Sequence, residues 1–501
     1  MSKKTWVLLG FVVLKFVMQH FLISPEYDLQ RDEYLHLDQA KHLAWGYESV
    51  PPFTSWISWI ILQFGNSLFW VKFFPALFGA LTIIVVWKTI ETLNGNLFAL
   101  IIGAIAISFS VLPRINILYQ PNSFEIFSWA LLHYCIICYF KSENNKWLYY
   151  AAIVFSFGFL NKYNIAFLMI GLAPAILLTN TRTLFLNKHL YFAMALALLL
   201  ISPNLIWQYQ NKFPVIHHMK ELADTQLVNV QRSDFLKEQL LFFFNSLFVL
   251  IIAGLSFFLY PGFKKYRFVF WSYVFTITVF TYLKAKGYYA IGLYPVWLCF
   301  GAVYLEHLTK SGWAKSLRPV AILIPLLLFI PAIKKVFPVL SPQEIVKDSK
   351  ISALHRWEDG KQHPMPQDFA DMLGWRELAA KTDSIYRTIP DKEHTIVLAA
   401  NYGEAGAINY YSKQNIQAVS MNADYINWFH LDKKILTVIL IKDDLDEGIE
   451  HEKMLFDSVV LGGTIENEFA REKGTLIYIL SGPKMDINKV LEEEIRKEKA
   501  H

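Results

Sequence analysis

Residues 27–53 read YDLQRDEYLHLDQAKHLAWGYESVPPF, a polar stretch set between two long apolar runs, with adjacent carboxylates at Asp32 and Glu33. The run before it, WVLLGFVVLKFVMQHFLI, approaches the roughly 17–25 apolar residues that cross a bilayer. The polar stretch therefore begins at a membrane surface, where neighbouring acids are costly to desolvate unless they have partners or take part in chemistry.

Working outward, the composition agrees with a membrane chain: 501 residues, 54% hydrophobic, 18% charged and a mean hydropathy of +0.32. The first apolar run is followed by SPEYDLQRDE, without a small-residue cleavage site, and reads as a retained anchor. Hydropathy marks further spans near 66–87, 97–112, 122–140, 147–160, 163–179, 188–207, 238–260, 267–283, 288–308 and 317–338. The expected fold class is a polytopic α-helical membrane protein of about 11–13 transmembrane helices.

Alternate short loops carry Lys3 and Lys4, Lys88, Lys141 and Lys146, Arg182 and Lys188, Lys264, Lys265 and Arg267, and Lys310, Lys315 and Arg318. These basic ends belong in the cytoplasm by the positive-inside rule. The Asp32 loop, the turn from Arg114 to Asn122, the loop from Gln208 to Lys237 and everything after Pro342 then face outside. Residues 342–501 mix charge with β-rich runs at TIVLAA, ILTVILI, SVVLGG and LIYIL, separated by helical or turn-rich sequence such as EAGAINYYSKQ. That pattern predicts a small extracytoplasmic α/β domain, with LEEEIRKEKAH as a solvated helix or tail. The expected division is a membrane domain over 1–341, including a first outer loop at 24–56, and a soluble domain over 342–501.

A net charge of +5 spread along the chain does not form a nucleic-acid surface. Cys135, Cys138 and Cys299 all lie in apolar runs and read as small hydrophobes. Within DEYLHLDQAKHLAW, the pairs Asp32/His36 and Asp38/His42 are each four apart and share a helix face. With Leu35, Leu43 and Trp45 they predict an amphipathic helix in the membrane interface, ended by Pro51-Pro52. Three lysines, Lys162, Lys284 and Lys286, are exceptions to the charge pattern on the outer side, as is Arg31. An anion held there would explain them, although snorkelling lysines are the plain alternative.

Seven motifs in order now carry a resemblance: the outer-loop RDE, HLAWGYESVPPFTSW, LYQPNSFEIFSW, LNKY, SPNLIWQYQNKFPVIHH, KGYYAIGLYPVWLCFGAVYLE and NYGEAGAINYY. Their order resembles GT-C type glycosyltransferases, the bacterial relatives of protein O-mannosyltransferases and of the lipid A aminoarabinose transferase. The resemblance implies transfer of a sugar from a polyprenyl (undecaprenyl) phosphate carrier to a hydroxyl on a lipid, polysaccharide or protein, with inversion, outside the cell membrane. It implies that Asp32 is the general base and that Glu33 positions the acceptor or a metal. Lys162 and Lys286, with Tyr163, Tyr288 and Tyr289 beside them, are the candidates for the lipid phosphate or sugar. Arg114, Glu125 and His217 are further substrate-binding candidates.

The aminoarabinose branch has Lys where Val50 stands here, and Asp in the second outer loop where this chain reads Gln120-Pro121-Asn122 with Glu125 nearest. Lipid A modification is thereby put in question. No cofactor is demanded by the motifs; a divalent ion, Mg2+ or Mn2+, is an open option with Glu33 and Glu125 as its candidate ligands. Tyr402, Gly403 and Glu404 match a recurrent run with no chemistry attached, and packing is the reading for them. The rival classes are a transporter or flippase of lipid-linked sugars, and an inactive scaffold. No inverted repeat is visible, and the acids lie in a surface loop instead of at the bilayer midplane.

Overall fold

The computed structural model describes residues 2–225, 227–348, 355–443 and 448–499. Each of the eleven hydropathic windows is helical, but not each is a simple span. Among the described residues, six helices are long and apolar enough to cross a membrane: Lys3–Phe21, Leu68–Thr92, Asn122–Ser142, Lys188–Gln210, Gly287–Leu308 and Gly312–Val336. The number rises to eight if two bent pairs count as one span each, Ile165–Leu177 with Asn180–Leu186 and Arg232–Leu241 with Phe244–Leu259. Lys146–Asn161 and Arg267–Tyr282, at 16 residues each, and Leu97–Ser108, at 12, fall short by length. Hydropathy locates apolar segments; bends and helix ends set how far each one reaches.

The residues divide into two compact units. The first holds Met1–Ile23, Ala44–Ile57 and Phe64–Val339. Its most enclosed span is Gly287–Leu308, with 89% of its apolar window buried, against 11% for Lys3–Phe21 and 17% for Gly312–Val336. The latter two present their apolar faces to lipid. Small residues let the inner helices approach: a Cβ on Gly171 would collide with Thr276 Oγ1. That contact joins Ile165–Leu177 to Arg267–Tyr282. Pro75, Pro203, Pro325 and Pro331 sit inside spans, where neighbouring helices and side chains compensate freed carbonyls. Cys135, Cys138 and Cys299 are free and buried.

The second unit holds Ser24–Leu43, Ser58–Gln63 and Leu340–His501. The residues of the expected first outer loop are divided between the units: its front half groups with the C-terminal sequence and its back half with the spans. Among the described residues the sheet has five strands: β1 (Thr395–Ala399), β2 (Ala418–Ser420), β3 (Thr437–Lys442), β4 (Phe456–Thr464) and β5 (Leu476–Pro483). Their order is β2-β1-β3-β5-β4. β1 is parallel to β2 and β3, and β5 is antiparallel to β3 and β4. The helix Tyr402–Tyr411 makes the β1-to-β2 crossover. Val438, Leu480, Phe456, Ile487 and Leu491 fill one core cluster. The tail is a helix over Ile487–Glu498; Ala500 and His501 lie outside the described residues.

Candidate active site: an acid cluster and a lysine cluster

The loop around Asp32 is a short helix, Arg31–Asp38, continued by a turn of 3₁₀ helix over Gln39–Lys41. Gln30 caps it: its side chain accepts the Asp32 N–H at 2.9 Å, and Glu33 Oε2 accepts the Gln30 N–H at 2.6 Å. The helix is not an interfacial amphipath, because Glu33 through Ala40 are all buried. Of the expected stripe only Leu35 is buried; Leu43 and Trp45, beyond the helix, are exposed. The helix also stops well before Pro51-Pro52. His42 leaves it to stack on Trp428, ring centroids 4.2 Å apart.

Backbone bonds fasten the segment to residues 371–372: Asp28 N–H donates to the Met372 carbonyl at 2.7 Å and Arg31 N–H to that of Asp371 at 3.1 Å. The face of the Tyr402–Tyr411 helix then meets it closely. A Cβ on Gly403 would lie 2.5 Å from Arg31 Cγ, and one on Gly406 would lie 2.6 Å from both Tyr34 Cβ and Tyr425 Oη. Only glycine fits at these crossings, which gives the GEAG run its physical reason.

The acids of the loop have different surroundings. Asp28 is buried and pairs with Arg376 Nε at 2.8 Å; burial still lifts its carboxyl above the usual range, against the pull of that guanidinium. Asp38 is buried, accepts from Asn409 Nδ2 at 2.6 Å and Tyr425 Oη at 2.8 Å, and meets Lys41 at 3.3 Å. Glu33 is 0% exposed and serves as the cap. Asp32, in the first helical turn, is the one carboxylate between Asp28 and Asp38 that is not buried. Its Oδ1 accepts the Tyr402 hydroxyl at 2.7 Å, and the Arg31 guanidinium lies 4.4 Å over the Tyr402 ring. Burial and the Asp32 charge push the Tyr402 phenol well up, so it stays a donor. Burial lowers His36, which spans Nδ1 to Gln39 Oε1 at 3.4 Å. An accessible acid on a rigid helix start, steadied by a neutral donor, suits proton transfer.

In the first unit, Lys162 caps the helix Lys146–Asn161. Its Nζ lies 3.0 Å from Glu125 Oε2 and 2.8 Å from Asn122 Oδ1, with the Tyr289 and Tyr288 rings at 4.5 and 5.2 Å. The Lys162 side chain is 19% exposed and that of Glu125 5%, so the ammonium is the more accessible partner. Asn161 Nδ2 donates to the Pro121 carbonyl at 2.9 Å and fixes the turn that bears Asn122. Four sequence candidates thus meet: Lys162, Glu125, Tyr288 and Tyr289. Asn122 is the partner that sequence reasoning missed, although it stands in the quoted QPN.

The remaining candidates lie elsewhere. Tyr163 points into a separate network, donating to Asn204 Oδ1 and accepting from Gln208 Nε2, both at 3.0 Å. Lys286 is half-buried at the start of the 3₁₀ turn Gly287–Leu293. His218 feels its charge, and His217 is exposed. Arg114 lies half-buried in the short helix Leu112–Ile115. As metal ligands, Glu33 and Glu125 are both already engaged, one by a backbone N–H and the other by an ammonium.

Against known proteins, a family model described as dolichyl-phosphate-mannose-protein mannosyltransferase matches residues 49–207. The lipid A galacturonosyltransferase RgtD of Rhizobium johnstonii is 23% identical over 222 residues, 43% of this chain. The match takes in 46% of that protein, so the chain spans about half the length of this curated relative. ArnT from Cupriavidus metallidurans bound to undecaprenyl phosphate superposes with a TM-score of 0.62 at 12% identity, covering 96% of this chain and 100% of ArnT. Its apo form gives 0.61 at 11%, with the same coverage. The likeness to ArnT extends over nearly the whole chain: this is a multi-pass membrane protein with the GT-C fold and a small C-terminal sheet domain.

Proposed function

We propose that this GT-C chain is an inverting membrane glycosyltransferase that moves a sugar from undecaprenyl phosphate, or a similar polyprenyl phosphate, to an acceptor hydroxyl. The observation that carries the reading is Asp32, the accessible carboxylate among buried ones, held by Tyr402 at 2.7 Å on a capped helix start. Support for the donor comes from ArnT, described as bound to undecaprenyl phosphate, and for a lipid acceptor from RgtD, described as a lipid A galacturonosyltransferase. We place the reaction on the outer side of the cell (inner) membrane, with residues 342–501 in the periplasm, from the basic loops assigned to the cytoplasm.

In this mechanism Asp32 takes the proton of the acceptor hydroxyl as its oxygen attacks the anomeric carbon. The carbon–oxygen bond to the carrier breaks on the opposite face, and the phosphate leaves with the electron pair. Lys162 stabilises the phosphate charge, while Tyr288 and Tyr289 line that cation. Glu33 acts as a positioning residue by fixing the first helical turn. Lys286, Tyr163, Arg114 and His217 stand outside the Lys162 cluster and are given no role in this step.

The test is sugar transfer from a panel of radiolabelled polyprenyl phosphate sugars into envelope fractions, comparing wild type with Asp32→Asn at equal expression. Asparagine still accepts the Tyr402 hydroxyl, so the fold is kept while the base is lost. Transfer by wild type alone is expected. Equal transfer by both would remove Asp32 from the chemistry. Label that crosses the bilayer without a new glycosidic bond would establish a transporter instead.

A further inference from the structure

A second group of acids lies in the C-terminal unit, away from any role given above. Glu404 follows the end of β1, Asp443 follows the end of β3, and Glu472 precedes β5. β1 and β3 run parallel and β5 antiparallel, with Lys442 opposite Leu476. The three acids thus share one edge of the three central strands, at the carboxyl ends of β1 and β3, where open α/β sheets hold ligands. One oxygen from each can be chosen so that all lie within 4.8 Å of one another.

The arrangement is not a solvated acidic surface. Glu404 is 0% exposed and Glu472 8%. Glu404 Oε2 accepts the N–H groups of Ala400 at 3.0 Å and Asn401 at 3.3 Å, whereas its Oε1 is buried without a hydrogen-bond partner. A buried carboxylate oxygen left bare costs more than a hydrogen bond is worth, so something must meet it.

The nearby cations are already shared. Arg31 interacts with Asp32, Asp371 and Glu472 and lies on Tyr402. Arg471 reaches Asp371 Oδ1 at 3.1 Å and also acts on Glu472. Glu404 itself feels Glu472 and Asp443, and burial with that repulsion pushes Glu404 and Glu472 upward, against the pull of Arg31 and Arg471 on Glu472.

We propose that Glu404, Asp443 and Glu472 form a binding site for a hard divalent cation, best suited to Ca2+. The donors are all carboxylate oxygens, the set that calcium, manganese and magnesium take. Calcium takes several protein carboxylates in a flexible geometry, whereas magnesium usually keeps most of its waters and only one or two carboxylates, so three acid side chains together favour calcium.

The site has a mechanical consequence for Asp32. Glu404 and Asn401 form the reciprocal cap that begins the Tyr402–Tyr411 helix, and Asn401 also bonds the Glu472 side chain. The first residue of that helix donates to Asp32. An ion at Glu404 thus fixes the start of the helix that steadies the proposed base, making the three acids positioning residues for it.

The experiment uses the full-length protein in detergent, stripped with EGTA and then titrated with CaCl2, MnCl2 or MgCl2, following metal content and thermal unfolding. About one Ca2+ per chain is expected, with a melting rise on the order of 5–10 °C near saturation. Asp443→Asn and Glu472→Gln are each expected to weaken binding at least about tenfold, one carboxylate of three being lost. Asp443 is half-exposed, so its variant tests the idea even if Glu404→Gln fails to fold. A wild type that holds no metal and melts identically with and without all three ions overturns the proposal, as does binding unchanged in both variants. A wild type blind to Ca2+ whose Asp443→Asn form is merely more stable overturns it too, the acids then being protonated. None of these readouts depends on sugar transfer, so the site and the proposed reaction fail separately.

Discussion

The acid cluster of the C-terminal unit and the Lys162 cluster of the membrane unit handle charge in opposite ways. Around Lys162 one ammonium faces one carboxylate, with an amide oxygen and two tyrosine faces completing its surroundings. That group is neutral as a whole, as burial among apolar helices demands. Around Arg31 several acids gather, held by phenols, amides and backbone N–H groups as well as by guanidinium groups. Most of them are buried, while Asp32 and Asp443 keep partial exposure. The difference separates a place where an anion can be received from a place where a proton can be.

The sharpest way to break this contrast is Asp32→Asn. It is expected to lower transfer by about 10²–10⁴-fold with melting unchanged, measured as the initial rate at saturating donor. Next is Lys162→Met, expected to cost about 10²–10³-fold in turnover. It also leaves Glu125 buried without its cation, a destabilisation of about 3–5 kcal/mol. The double variant Lys162→Met/Glu125→Gln should recover most of the stability and none of the activity, as read by denaturant melts beside the assay.

A smaller effect is expected from Gly406→Ala, which forces a methyl group to within 2.6 Å of Tyr34 and Tyr425. Overpacking there should cost about 1–3 kcal/mol, seen as a lower melting temperature of the second unit. Tyr402→Phe removes a donor to a carboxylate and should cost about 1.5–3 kcal/mol at most, with turnover falling less than in Asp32→Asn. A wild-type rate in Tyr402→Phe would detach the helix start from the chemistry.

The least effect is expected from pH. Burial raises Asp371 from 3.8 to about 7, against the pull of Arg471. The folded form thus holds this proton more tightly than the unfolded chain, and the stabilisation is complete below about pH 4 and lost as pH rises to about 7. The melting temperature should fall by a few degrees between pH 5 and pH 8 through this group. Asp371→Asn should flatten that slope.

Much of this was legible before any coordinates. The runs TIVLAA, ILTVILI, SVVLGG and LIYIL became β1, β3, β4 and β5, because β-branched runs bounded by turns carry their own signal. β2 went unseen: three residues, AVS, hold no period. The acids Asp32 and Glu33 look alike in sequence, yet a helix start turns one inward as a cap and leaves the other accessible. The pattern of Leu35 and Leu43 suits a membrane interface as well as a protein core; the core took Leu35 and left Leu43 exposed. Tyr402 could not be matched to Asp32, 370 residues away, since nothing in the intervening chain encodes that meeting.

The sequence by itself determined the membrane class, the helical windows, the strands of the small domain and the candidacy of Asp32 and Lys162. These follow from hydropathy, periodicity and charge, which act over a few residues or one bilayer thickness. Tertiary structure alone decided that residues 24–43 belong with the C-terminal unit, that Glu125 and Asn122 hold Lys162, and that Glu404, Asp443 and Glu472 share one sheet edge. Those are meetings between distant segments, governed by strand order and by the close approach that Gly403 and Gly406 permit.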